Sequence, residues 1–342
     1  MTRTLSEREL NRALLARQML LERVTAPIPR VLERMGGLQA QYAPAMYIGL
    51  WSRIHGLERD AVTRGLERKT IVQGSLMRTT IHLVSRRDYW PFAVGVKRPL
   101  REWWLRTHGR GIDPKEIAAN DRKVRRAFAG GTLTRAQLEE VLGGRLATAG
   151  LFVNMVRVPP SGTWERRRAD LYALAEDWVG PESATEDEGF ELLVRRYLQG
   201  FGPARPAEIA NWASLDVSMV KRALERMTLR QFLDGQGKEL VDLPRLPLPD
   251  GDTPAPVRFL PVWDATLLVH ARRTQILPEH LRSRIFNIRN PQSANTFLVD
   301  GQVAGTWRYV DGRVRIEPFD RLAKPVRAEA EDEAERLAAF HA

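Results

Sequence analysis

Two adjacent glycines, Gly36 and Gly37, set the strongest local constraint on this chain. Glycine readily takes the left-handed conformation that ends a helix, so the short helix predicted over Val31, Leu32 and Met35 must stop there. The following Leu38-Gln39-Ala40-Gln41-Tyr42 is then expected to be extended. In an extended segment residues i and i+2 point to the same side, so Gln39 and Gln41 project together; in a helix they would point apart. Two neutral amides aimed at one spot make a poor acid–base pair, but they can hold a water or read a base edge. The competing reading is that both cap backbone groups in a turn.

The 342 residues suffice for two to four small units, and a hydrophobic content of 43% supports a packed core. A formal net charge of +11 suits a polyanionic partner, most commonly nucleic acid. Arginine greatly outnumbers lysine, which a GC-rich genome would also produce. The absence of cysteine excludes disulfides, thiolate metal sites and a cysteine nucleophile. The six histidines are scattered without ligand spacing, so neither metal nor cofactor is expected. Nothing resembles a signal peptide or membrane span, and a cytoplasmic, nucleoid-associated protein is expected.

Punctuation along the chain predicts four units, 1–112, 113–185, 186–250 and 251–342. In the first, Ser6 and Glu9 form a capping box, and Leu10, Ala13, Leu14 and Leu21 share the face of the helix that follows. Another helix is expected from Arg59 to Arg68. Residues 75–85 alternate Arg78, Thr80 and His82 against Thr79, Ile81 and Leu83, predicting one strand. In the second unit Thr134 and Gln137 cap a helix ending at Leu142, and another helix is expected after Gly143-Gly144. A strand–turn–strand over Val156 to Trp164 leads into Arg166, Arg167 and Arg168. The third unit reads as a helix-turn-helix: Ile209, Ala210 and Trp212 point inward, Ser214-Leu215 turns, and Asp216 caps a helix burying Val217, Val220, Leu224 and Met227. Its outer face carries Ser218, Lys221, Arg222 and Arg226. Proline-rich residues 244–256 predict a linker, and the short strands beyond it a small β-barrel, with hairpin turns at Asp300-Gly301 and Asp311-Gly312. The tail from Ala328 predicts an acidic helix docked on the body.

The stretches Leu10 to Arg23, Gly36 to Arg53, Leu76 to Ser85, Val158 to Tyr172, Phe201 to Leu215, Pro261 to Leu268 and Leu298 to Arg308 resemble, in order, those of the AlkZ-like winged-helix DNA glycosylases. The resemblance implies an α+β fold of tandem winged-helix units with a C-terminal small β-barrel, arranged around DNA. It also implies that Gln39-Ala40-Gln41 matches the family's catalytic glutamine–apolar–glutamine motif. The sister YcaQ-like crosslink glycosylases carry aspartate at the second position, so Gln41 points to the AlkZ-like branch, many of whose members protect producers of DNA-alkylating antibiotics.

On this reading the partner is double-stranded DNA carrying alkylated guanine, with no membrane or protein partner evident. The reaction is a hydrolysis in which amide carbonyls hold a water and face the developing positive charge. No lysine lies near the motif to form a Schiff base. Arg78, Thr80 and His82 are candidate DNA contacts, with a buried structural histidine as the competing reading. Arg166, Arg167, Arg168, Lys221 and Arg222 are candidate phosphate contacts, against solvated charge. The loop Arg289-Asn290-Pro291-Gln292-Ser293 is a candidate DNA-probing hairpin. Trp51, Trp103, Trp104, Trp212 and Trp263 are expected in the core. Rival functions are a non-enzymatic winged-helix regulator and a general alkylpurine repair glycosylase.

Overall fold

In a computed structural model, the described residues are 2–108, 114–143, 153–168, 170–268, 271, 273–287 and 290–342. Helix α1 (Glu7–Arg17) starts at the expected capping box: Ser6 Oγ accepts from the Glu9 N–H, and the Glu9 carboxylate accepts from the Ser6 N–H. Helix α2 (Ile28–Met35) ends at Gly36 with φ 78°, and Gly37 follows with φ 83°. A Cβ at Gly37 would lie 2.9 Å from Val84 Cγ1, so both backbone conformation and space require glycine there. The chain leaves this reversal as strand β1 (Leu38–Gln39) and enters helix α3 (Ala43–Trp51).

Helix α4 (Arg59–Glu67) matches its expected span. The single strand expected over 75–85 is instead half of a hairpin. Strand β2 (Ile71–Ser75) and strand β3 (Ile81–Ser85) pair antiparallel, Ile71 opposite Ser85 and Ser75 opposite Ile81. Between them Arg78 and Thr79 both take positive φ, 55° and 56°. Tertiary partners override the local alternation. Ile71-Val72 supplies the pairing strand, and Ser214 Oγ accepts the Arg78 backbone N–H at 2.8 Å.

Helices α5 (Arg86–His108) and α6 (Pro114–Ala127) precede strand β4 (Leu133–Thr134) and helix α7 (Arg135–Leu142), which the Thr134–Gln137 capping box starts as expected. The helix expected after Gly143-Gly144 lies outside the described residues. Strand β5 (Met155–Arg157) is followed by a tight turn, not the expected return strand by Trp164. The Gly162 and Thr163 N–H groups both donate to the Arg166 carbonyl, and the return is strand β6 (Leu171–Leu174). These strands form one antiparallel sheet in the order β1-β3-β2-β5-β6-β4, which draws strands from both sides of residue 112.

Helix α8 (Ala175–Val179) leads to α9 (Glu186–Phe201), α10 (Pro206–Ala213) and α11 (Val217–Glu225), then to the antiparallel hairpin of strands β7 (Arg230–Leu233) and β8 (Glu239–Asp242). Ile209, Ala210 and Trp212 are buried as expected, and Ser214 makes the turn with φ 60°. In α11, Val220 and Leu224 are buried and Met227 packs against the core as expected, with Met219 and Ala223 on the same face; Val217, the first residue of the helix, is instead 41% exposed. The stretch 244–256 is irregular but held down: Arg12 Nε donates to the Thr253 carbonyl at 2.6 Å and Arg17 Nη2 to the Pro247 carbonyl at 3.0 Å.

The C-terminal strands are β9 (Arg258–Leu260), β10 (Phe286–Asn287) and β11 (Asn290–Ser293), then β12 (Thr296–Val299), β13 (Gln302–Val310) and β14 (Arg313–Pro318); a short helix, α12 (Arg282–Ile285), precedes β10. The two predicted Asp-Gly turns form, with Asp300, Gly301, Asp311 and Gly312 all at positive φ. The expected barrel does not close. The sheet is open in the order β14-β13-β12-β9, and after β14 the chain enters helix α13 (Lys324–His341), which packs on the sheet through Ala330, Ala334 and Leu337. Trp51 and Trp212 are buried, Trp104 and Trp263 half-buried, but Trp103 is 42% exposed, contrary to expectation.

Buried ion pairs join distant segments. At the end of α3, Arg53 makes a bidentate pair with Asp264, at 2.9 and 3.0 Å, with neither side chain exposed. Arg17 pairs with Asp242 and Arg196 with Asp88 in the same way. Removing one partner strands a buried charge. Asp264→Ala is therefore expected to destabilise the protein by about 3–5 kcal/mol in urea unfolding. A loss below about 1 kcal/mol would show that water or another group reaches Arg53.

Candidate active site

Gln39, at the end of β1, lies opposite His82 in the β1–β3 register and is 9% exposed. Arg78 Nη2 donates to Gln39 Oε1 at 3.3 Å and lies 3.3 Å from His82 Nε2, while its Nη1 donates to the Trp212 carbonyl at 2.5 Å. His82 Nδ1 is 3.0 Å from the Thr80 carbonyl. A carbonyl only accepts, so Nδ1 carries the hydrogen and Nε2 is the acceptor facing Arg78. Burial pushes the His82 pKa down to about 3, the Arg78 charge adds to the fall, and the Thr80 bond opposes it. Burial also lowers Arg78 to about 10. Near neutrality the cluster is thus one cation held by neutral acceptors.

Gln41 is exposed, and its Oε1 accepts the Ile81 N–H at 2.9 Å. Both motif glutamines therefore reach residues 78–82, and Gln41 also meets the backbone-capping expectation. A guanidinium and a backbone N–H can only donate, which fixes the two carbonyls toward them and leaves both NH2 groups out of these bonds. Gln39 thus turns its carbonyl toward Arg78 and not outward. Gln41 keeps a second oxygen lone pair beside the one used by Ile81.

His82 is buried with its Nε2 toward Arg78, the arrangement of the competing reading as a buried structural histidine. Thr80 is half-buried and its hydroxyl donates to the Met77 carbonyl. Arg166, Arg167 and Arg168 are all exposed in the turn after β5. Arg167 Nη1 donates to the Tyr42 hydroxyl at 3.2 Å, and Tyr42 immediately follows Gln41, so this basic turn borders the motif. Arg168 reaches only a 4.0 Å contact with Asp170, which at such exposure contributes little. Lys221 and Arg222 are exposed on α11, just beyond the Ser214 turn that binds Arg78. Arg289 lies outside the described residues, and Asn290 opens β11, which pairs with β10 as a hairpin. Among the described residues no group of histidine and carboxylate side chains could hold a metal, and no helix is long and apolar enough to cross a membrane.

Sequence reasoning missed the three-sided hold on Arg78 and the Tyr42–Arg167 contact. An aromatic next to the motif was the available signal for the second; nothing in the local pattern pointed to the first.

A family model described as DNA glycosylase AlkZ-like matches residues 32–340. A Streptomyces sahachiroi protein named interstrand DNA cross-link repair glycosylase is 24% identical over 359 aligned residues, covering 94% of this chain and 93% of the relative. The solved structure of Streptomyces sahachiroi DNA glycosylase AlkZ matches with a TM-score of 0.82 at 21% identity, covering 99% of this chain and 97% of the other.

The buried histidine generates a pH dependence. His82 titrates near 6.5 when unfolded and near 3 when folded, so between these values the unfolded chain binds more protons. Stability from this group is complete above pH 6.5 and falls as pH drops toward 3, by about 2 kcal/mol between pH 7.5 and pH 5. His341, lowered to about 4 mainly by burial, adds a loss of the same sign. Urea unfolding at both pH values is expected to show a smaller loss in His82→Gln than in the parent; equal losses would mean His82 is not buried as a neutral base.

Proposed function

The chain belongs to the AlkZ-like DNA glycosylase family, and on that premise we propose a monofunctional enzyme that hydrolyses the N-glycosidic bond of bulky N7-alkylguanine in duplex DNA. We further propose that this activity gives self-resistance to a genotoxic alkylating natural product. The observation that carries the reading is the pair of glutamine amides converging on one hairpin, without a carboxylate in hydrogen-bond contact with either amide among the described residues. Alkylation at N7 makes guanine cationic and a good leaving group. Bond breakage then develops oxocarbenium character at the sugar, and the protein need supply only position and electrostatics. Gln41, through its free oxygen lone pair, accepts a hydrogen bond from the attacking water and turns the water's own lone pair toward C1′; the C1′–N9 pair leaves with neutral 7-alkylguanine, and the water's proton passes to solvent. Gln39, held by Arg78, offers its NH2 to an acceptor on the nucleotide. Glutamine cannot serve as a strong general base, so a neutral base is a poor substrate. Among the described residues no lysine contacts either amide, in keeping with hydrolysis without lyase chemistry.

A relative named for interstrand cross-link repair supports the extension to bulky adducts. On the same reading, the α10–α11 pair with its β7–β8 hairpin is a winged helix. Lys221, Arg222 and the 166–168 turn then meet phosphates, and the β10–β11 hairpin probes the duplex.

Single-turnover excision on duplexes carrying N7-alkylguanine tests the site. Gln39→Ala and Gln41→Ala are each expected to slow release by about a hundredfold or more, the scale of losing an oriented polar group, with circular dichroism unchanged. Near-parental rates in both variants would sink the assignment. Replacing Arg166, Arg167 and Arg168 together is expected to weaken binding to all duplexes and flatten its salt dependence. Unchanged affinity would move the DNA surface elsewhere.

A further inference from the structure

We infer that Tyr42 and Arg167 form a preassembled nucleotide platform beside the catalytic glutamines, the phenol ring stacking on a base of the damaged strand and the guanidinium taking an adjoining phosphate. Tyr42 is 38% exposed, among the few large apolar side chains open to solvent, and it directly follows Gln41. Its backbone is extended, with φ −130°, at the position preceding α3. Chain connectivity thus holds the ring within one residue of the motif.

Arg167 is exposed yet anchored three times. Nη1 donates to the Tyr42 hydroxyl at 3.2 Å, Nε donates to the Trp164 carbonyl at 3.4 Å, and the guanidinium carbon lies 5.8 Å from the Trp164 ring centroid. Trp164 is itself fixed: it is buried, with Tyr47 and Phe340 edge-on at 5.6 and 5.8 Å and Arg59 over its ring at 5.1 Å. Among the described residues no carboxylate lies within ion-pair distance of Arg167. The protein thus holds a surface cation in place without giving it an acid. A phosphate completes such a site, and arginine binds one with a planar fork.

An aromatic face and a phosphate-seeking cation held by one hydrogen bond match the two recognisable parts of a nucleotide. Stacking accepts any base, because every base has a π face. The platform then holds the strand beside the lesion by a flat base and its phosphate while leaving base edges unread, as an enzyme for bulky adducts in any sequence requires.

This inference rests on the glycosylase reading above. The test uses Tyr42→Ala, Tyr42→Phe, Arg167→Gln and the Tyr42→Ala/Arg167→Gln double variant in single-turnover excision over a range of enzyme concentrations. Each variant's thermal unfolding is checked against the parent. Tyr42→Ala is expected to lower release at limiting enzyme by about tenfold, the scale of one lost stacked base, and Tyr42→Phe to recover most of that loss. Arg167→Gln is expected to reduce the salt slope by about one unit. The double variant is expected to lose less than the product of the single losses, because both groups act on one nucleotide. Duplexes carrying 2-aminopurine beside the lesion report stacking independently: quenching on binding is expected with the parent and Tyr42→Phe, and not with Tyr42→Ala. Unchanged rates and quenching in Tyr42→Ala, with Gln39→Ala inactive, would overturn the platform and leave the glycosylase reading standing. A parent that releases no alkylguanine would overturn the reading on which the platform rests.

Discussion

The guanidinium of Arg78 is the charge around which this site is assembled. It reaches the Gln39 carbonyl, the His82 imidazole and the Trp212 carbonyl at once, and its own backbone N–H is taken by Ser214. One residue thereby ties the β1–β3 edge of the large sheet to the turn between α10 and α11. A half-buried cation is costly unless its donors find partners; here neutral acceptors take both Nη groups, and burial lowers its pKa only to about 10. The left-handed backbone at Arg78 and Thr79 is what this anchoring requires. It bends the hairpin so that the guanidinium curls back beneath Gln39.

On the proposed reading, Arg78 is a cation beside a reaction that develops positive charge, which is an electrostatic problem. The fold answers it by placing the Gln39 carbonyl and the His82 lone pair against Arg78. The exposed Gln41 carbonyl is then the negative dipole end available to substrate. The two glutamines have the same chemistry and different jobs because their fixed partners differ: a guanidinium for one, the Ile81 N–H for the other. Across the motif, the exposed turn of Arg166, Arg167 and Arg168 carries cations next to Tyr42, whose hydroxyl accepts from Arg167.

The parts of this arrangement that were legible in the sequence are those set by backbone chemistry over a few residues. Gly36-Gly37, the capping boxes at Ser6 and Thr134, the Asp-Gly turns and the inward face of α10 all follow from local rules. The family was legible through resemblance, not through the spacing of Gln39 and Gln41 alone. Features set by distant partners were not legible. The β2–β3 hairpin depends on Ser214, more than a hundred residues away in sequence. The turn at 162–166 is closed by backbone bonds that alternation cannot register. An open four-stranded sheet and a closed barrel have the same strand pattern, and only the path into α13 distinguishes them. Trp103 and Val217 are exposed because of how α5 and α11 are rotated, which their sequence periodicity did not specify.

The central claim is that a site of neutral amides releases a base only when alkylation has already made it cationic. Two duplexes identical except at one atom test it most directly, one carrying an N7-alkylguanine and the other the same alkyl group on C7 of 7-deazaguanine. The shape is shared and the charge is not. Single-turnover assays with saturating enzyme are expected to release the N7-alkylated base and leave the deaza analogue bound but intact, with abasic product cleaved only after heat or alkali. Release of the deaza analogue at a comparable rate would contradict the account.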